Sequence, residues 1–293
     1  MNILYDLEQQ YKMGDLTLKL IFWNIILFVC PTFIVYLLKI GGMGVDVYQW
    51  VALSSNFKQL FCRPWSLISY CFFHSSFVHL IFNMLMLHFA GRIFTTYFTQ
   101  KQLLSVYLLG GLFAGFIYIF TYLLFPFLST KKTVLLVGAS ASIMAIVFAT
   151  ATYQPYMKIR LALFGNIYIW QIALAFLVID LIQLPLKNTG GHISHLGGAF
   201  FGFVYIKLVQ EGLDLGKGLN WVLDRVVNVF SGKKRTPFQS VYKNVSPANE
   251  VKSRIIKKDK TQQQIDEILD KISQSGYESL TKEEKEFLFR AGK

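Results

Sequence analysis

Charge is scarce in this chain. Of its 293 residues only 16% are Asp, Glu, Lys or Arg, while 54% are hydrophobic. A soluble domain carries about 25% charged and 45–50% apolar residues, so a single soluble globular domain and a disordered chain are both excluded. Acids are rarest in the middle. Residues 16–211 hold 3 Asp/Glu against 12 Lys/Arg, whereas residues 212–293 hold 11 against 16. Cysteine is scarce as well. Cys30, Cys62 and Cys71 are odd in number and lack CxxC spacing, which excludes a secreted disulfide scaffold and leaves packing roles. No histidine is followed by glutamate, so the HExxH of a zinc protease is missing.

Long apolar runs are plentiful. A membrane span needs about 20 mostly apolar residues. Six runs approach that length: 16–40, 77–98, 102–125, a shorter one over 138–152, 161–184 and 191–209. The fold class expected is all-α, a polytopic membrane protein with a six-helix bundle over 16–211. Residues 1–15 form a polar N-terminus, and the first apolar run is already of spanning length, so no cleavable signal peptide is expected. Residues 212–230 carry apolar side chains near helical spacing, fitting an interfacial amphipathic helix or an ordinary packed one. A basic linker is expected over 231–261 and a helical hairpin over 262–293. In that hairpin Ile265, Leu269 and Ile272 share a face, Gly276 breaks the helix, and Thr281 with Glu284 forms a capping-box pattern. Lys and Arg near the span ends divide evenly between the two sides. The basic tail then places both termini in the cytoplasm. The net charge of +12 is not read as nucleic-acid binding. The basic residues flank apolar runs or mix with acids, with no aromatic-basic stripe, so anionic membrane lipids are the expected partner.

A polar side chain within a span is costly, so it is usually functional or well satisfied. The fourth run opens Gly138-Ala139-Ser140-Ala141-Ser142, and Ala141, Ala145 and Ala149 then repeat every four residues. The sixth carries His192 and His195, with His195, Gly198 and Gly202 on one face. Packing that glycine face on the alanine stripe would set His195 beside Ser140. The second opens with His74, His79 and Asn83, the last two at i, i+4. Spans two, four and six run in the same direction, so their N-terminal ends share one level and these polar sets converge there. The chemistry this permits is acyl transfer. Ser140 needs a base, which His195 supplies, and a tetrahedral intermediate needs donors, available from the Ser140 N–H, the His79 ring and the Asn83 amide. No carboxylate obviously orients His195, so a Ser-His dyad is the reading. Asp180 is the one acid inside a span, which excludes a two-carboxylate aspartyl protease, and a helix–helix hydrogen bond is its expected part. Five histidines (His74, His79, His88, His192 and His195) keep a metal site open as an alternative. A transporter remains a third alternative, though inverted repeats and midplane charges are lacking.

These residues resemble the rhomboid family of intramembrane serine proteases. The likeness rests on the HxxxxHxxxN of His74, His79 and Asn83, the GxS of Gly138–Ser140, and the HxxGxxxG of His195, Gly198 and Gly202, in this order on spans two, four and six. It implies a cavity opening outward, Ser140 as nucleophile, His195 as general base, and an oxyanion hole of His79, Asn83 and the Ser140 amide. His74 resembles the family's more structural histidine. The loop between spans one and two, with Arg63 and Trp65 near its end, resembles the family's membrane-embedded loop, and the fifth helix its lateral gate. The resemblance implies transmembrane protein substrates and neither cofactor nor metal. Ala141 departs from the usual glycine after the nucleophile, but it is small and leaves the Ser140 N–H intact. Arg63-Pro64-Trp65 departs from the family's Trp-Arg order. The tail resembles the C-terminal extension of Bacteroidetes-type bacterial members, which implies a bacterial inner membrane. The alternative is a non-catalytic rhomboid-like protein that binds transmembrane segments; the presence of both Ser140 and His195 argues against it.

Overall fold

A computed structural model describes residues 3–128, 133–161, 165–186, 188–231 and 248–291. The chain forms two compact units, Met1–Ser231 and Gly232–Lys293.

In the first unit α1 (Ile3–Met13) leads into α2 (Leu16–Ile40), which Asp15 caps by accepting the Leu18 N–H at 2.9 Å. The following segment holds three short helices, α3 (Tyr48–Val51), α4 (Phe57–Cys62) and α5 (Ser66–Ser69), and strand β1 (Leu53–Ser54). Then come α6 (Phe77–Phe94), α7 (Gln100–Leu124), strand β2 (Leu135–Leu136), α8 (Ser140–Tyr153), strands β3 (Lys158–Leu161) and β4 (Gly165–Tyr168), α9 (Ile169–Gln183), α10 (Thr189–Gln210) and α11 (Gly216–Ser231). Among the described residues α2, α6, α7 and α10 are long and apolar enough to cross a membrane, with α8 and α9 as shorter apolar helices. The chain is a helical polytopic bundle.

The fifth span differs from its expected bounds. Strands Lys158–Leu161 and Gly165–Tyr168 pair antiparallel, with Lys158 opposite Tyr168 and Leu161 opposite Gly165, and the helix begins only at Ile169. Lys158, Ile159, Arg160 and Leu161 alternate polar and apolar, which is a strand's period. Gly165 takes a positive φ of 71° at the start of β4. The Gln171 side chain accepts the Tyr168 N–H at 2.8 Å, which fixes where α9 starts.

Helix α8 is central. Ten of its 14 residues are buried. A helix of that length covers about 21 Å, short of the ~30 Å hydrocarbon core, so Ser140 at its N-terminus lies within the apolar layer when its other end reaches the interface. Helix α10 packs on it backbone to backbone. A Cβ on Gly198 would overlap the Ala141 carbonyl, and one on Gly202 the Ala145 carbonyl. Ala141, Ala145 and Ala149 are all buried in this seam. In a bilayer, apolar burial alone drives helices together weakly, so close approach of this kind is what fixes their relation.

The α3–α5 segment is held by contacts of its own. The Arg63 guanidinium donates to the Gln49 carbonyl and lies over the Trp50 ring, while the Trp65 indole N–H donates to the Trp50 carbonyl at 2.8 Å. β1 pairs with β2, which leads directly to Ser140. At the other end, α11 is tied to α7 through Asp224–Lys101 at 2.9 Å and Asn220–Ser105 at 3.3 Å, leaving Trp221, Val222, Val226 and Val227 exposed.

The second unit contains α12 (Ala248–Ser275) and α13 (Lys282–Ala291). Residues 232–247 of the expected linker lie outside the described residues; its remaining part, from Ala248, belongs to α12. The capping box forms as spaced: the Thr281 N–H donates to Glu284 at 2.8 Å and the Glu284 N–H to the Thr281 hydroxyl at 3.3 Å. The Lys271 ammonium holds the Glu284 carboxyl below the usual carboxylate range.

Candidate active site

Ser140 is the first residue of α8, after the cap residue Ala139. First-turn N–H groups of a helix have no partner inside it, and the dipole's positive end lies there. Gly138 makes the approach possible. Its φ is 134°, and a Cβ there would lie 2.8 Å from His79 Cε1, 3.0 Å from His79 Nε2 and 3.5 Å from Ser140 Oγ. Any side chain at 138 would fill the gap between the His79 ring and the Ser140 oxygen. The Gly138 N–H donates to the Tyr70 carbonyl at 2.9 Å, fixing the turn.

Helix α10 brings the partner. His195 Nε2 lies 2.6 Å from Ser140 Oγ. Gly198 lies one turn further along α10 and contacts Ala141, so the seam sets this distance. Asn188 at the helix cap has a left-handed φ of 53°, and a Cβ on Gly191 would overlap its amide.

Helix α6 supplies the facing wall. Ser76 caps it by accepting the His79 N–H at 3.2 Å. His79 Nδ1 lies 3.1 Å from Ser75 Oγ, which leaves Nε2 turned toward Gly138. Asn83 is buried and its amide donates to the His79 carbonyl at 2.9 Å. An Asn amide has two N–H donors, and this bond uses one. His74 is buried outside the cavity, with its Nε2 accepting the Ala139 N–H at 3.5 Å and its ring edge-on to His79 at 5.1 Å. It braces both the residue before Ser140 and the His79 ring.

Ser140, His195, His79 and Asn83 line one cavity of ≈ 620 Å³. Its apolar walls include Phe82 and Met86 of α6 and Phe176 and Ile179 of α9. Ala141, Gly198 and Gly202 support it from the α8–α10 seam, and Gly138 lies against His79 and Ser140.

One contact corrects the sequence reading. His195 does have a carboxylate partner: Asp180 Oδ1 lies 2.9 Å from His195 Nδ1 and 2.7 Å from His192 Nδ1. Asp180 is a helix–helix hydrogen bond, as expected, but it falls on the histidine beside Ser140. His192, not assigned from sequence, shares the same oxygen. The donor atoms of Asp180, His192 and His195 lie within 4.8 Å of one another, close enough for a metal. An ionised carboxylate can only accept, so a metal at this cluster would compete with both imidazole contacts for the same oxygen.

Residues 62–211 match the rhomboid domain. This chain belongs to the rhomboid family. It is an integral multi-pass membrane protein of rhomboid type. It is 32% identical over 154 residues to presenilin-associated rhomboid-like protein A, mitochondrial, of Danio rerio. The alignment covers 51% of this chain and 38% of that relative, so the chain spans well under half the relative's length. Residues 256–291 match a family of unknown function, DUF6576.

Proposed function

We propose that this rhomboid-family chain is a serine endopeptidase that cuts transmembrane segments of other membrane proteins. The observation that carries the reading is the 2.6 Å contact between Ser140 Oγ and His195 Nε2 inside a cavity with apolar walls. Serine is a weak nucleophile until a base takes its proton. In the first step Ser140 Oγ attacks the peptide carbonyl carbon and its proton passes to His195 Nε2. The carbonyl oxygen becomes an oxyanion, received by the Ser140 N–H and by N–H donors of His79 and Asn83. His195 then gives its proton to the leaving amine. Water, deprotonated by the same nitrogen, releases the acyl group and restores Ser140.

The substrate class follows from the walls. Phe82 and Ile179 line the cavity and are also exposed on the flanks of α6 and α9, so an apolar segment can reach Ser140 from between these helices. A helical peptide bond is shielded by its own hydrogen bonds, so segments with small or helix-breaking residues near the outer face are the expected substrates. Both termini are assigned to the cytoplasm of a bacterial cell. The exposed apolar face of α11 rests in the membrane interface beside lipid headgroups.

The test is cleavage of a model transmembrane substrate by purified full-length protein. Ser140→Ala and His195→Ala each reduce kcat by at least about 1000-fold. Cleavage by Ser140→Ala at the wild-type rate overturns the assignment. A non-catalytic protein that only binds transmembrane segments would show binding without turnover in the same assay.

A further inference from the structure

Asp180 raises a question that the nucleophile, base and oxyanion donors leave open. A carboxylate in the apolar layer is costly unless hydrogen-bonded. This one is buried, and among the described residues its oxygen Oδ1 takes two donors, the Nδ1 atoms of His192 and His195 at 2.7 and 2.9 Å. The two histidines sit at i, i+3 on α10, so their rings reach the same oxygen from successive turns. A carboxylate oxygen has lone pairs for both and no proton to give.

The consequence falls on the other nitrogen of His195. A neutral imidazole carries one N–H, and its position is set by the partner of each nitrogen. With Nδ1–H donated to Asp180, Nε2 is left as the bare acceptor, and Nε2 is the atom 2.6 Å from Ser140 Oγ. The opposite tautomer would point a hydrogen at the serine and remove the base.

We propose that Asp180 is a positioning residue for the reaction: it holds His195 in the tautomer and orientation that can accept the Ser140 proton, with His192 fixing the carboxylate from its far side. The inference rests on the endopeptidase reading above. During attack the Oγ proton moves to Nε2 and the Nδ1 proton stays where it is. The imidazolium that forms is then balanced by a carboxylate in contact with it, in a site of low dielectric where that contact counts. Because Asp180 sits on α9 and His195 on α10, the base is tuned from a helix that carries neither the nucleophile nor the base.

Full-length wild type, Asp180→Leu, Asp180→Asn and Ser140→Ala are compared for cleavage, thermal unfolding and imidazole 15N shifts, with His195 assigned by its absence in His195→Gln. Leucine has as many side-chain heavy atoms as aspartate and removes the acceptor, so it tests the contact itself. For Asp180→Leu, kcat falls about 100-fold with KM changed less than about threefold, while the variant stays folded at the assay temperature. Asp180→Asn keeps more activity than Leu, because its amide oxygen still accepts the N–H groups. The wild-type His195 carries its neutral-form proton on Nδ1, and in Asp180→Leu that proton moves toward Nε2. A kcat for Asp180→Leu within about threefold of wild type overturns the proposal, and so does a wild-type His195 protonated on Nε2. Should the Leu variant fail to fold, the Asn variant and the wild-type 15N pattern decide. If wild type and Ser140→Ala are equally inert, the endopeptidase reading fails and the 15N pattern alone still judges the positioning claim.

Discussion

The α8–α10 seam and helix α9 border the same cavity and are built in opposite ways. In α8, ten of 14 residues are buried, and α10 meets it through glycines that bring backbone against backbone. In α9, Ile169, Ala173 and Asp180 are the buried residues of 15, and Leu174, Val178, Leu181 and Ile182 face outward. The seam has no side chains to adjust, so it holds the Ser140–His195 pair at one separation. Helix α9 is tied at its C-terminal half by one carboxylate clasped by two imidazoles. The lesson is a division of labour. Geometry of the reacting pair comes from close packing, while orientation of the base comes from a polar contact on a less buried helix.

Substitutions can break or sharpen this contrast. The largest loss is expected at the seam. Gly198→Val drives a branched side chain into the Ala141 carbonyl, and overpacking of this kind costs about 3 kcal/mol or more. The measurement is thermal unfolding in detergent together with cleavage, and both should collapse. Near-normal stability in this variant would mean the seam can separate. Asp180→Leu stands in the middle, with turnover falling about 100-fold and a smaller loss of stability than at the seam. The smallest effect is expected at Leu181→Ala on the outward face of α9. Leu181 is 53% exposed, so truncation should shift stability by less than about 0.5 kcal/mol and leave kcat unchanged. A Leu181→Ala effect as large as that of Gly198→Val would erase the distinction between the two regions.

Much of the site was legible because a membrane makes polar residues conspicuous. Ser140, His195, His79 and Asn83 stood out within apolar runs, and the Ala141–Ala145–Ala149 and Gly198–Gly202 stripes indicated which helices touch. Asp180 is equally conspicuous, but nothing local to its own span names its partner. Spans that run in one direction share the level of their N-terminal ends by topology alone. Helix α9 runs the other way, so its C-terminal part, not its start, meets the N-terminal end of α10. The end of span five and the beginning of span six therefore share a level, which puts Asp180 beside His192 and His195. The β3–β4 hairpin was hidden for another reason: averaging hydropathy over a span-length window removes the alternation of Lys158 to Leu161. Helices α3 to α5 are four to six residues long, too short for any 3.6-residue periodicity to register. They are held by particular contacts, such as Arg63 over Trp50, that no local pattern announces.

The central claim is that Ser140 is a nucleophile activated by His195, and covalent labelling tests it without knowledge of the natural substrate. Full-length protein in lipid vesicles is treated with a fluorophosphonate, and the adduct is mapped by peptide mass spectrometry. The account predicts one phosphonylated residue, Ser140, with labelling lost in His195→Ala while the protein remains folded. Absence of an adduct on Ser140 in folded wild type, or equal labelling in His195→Ala, would contradict it.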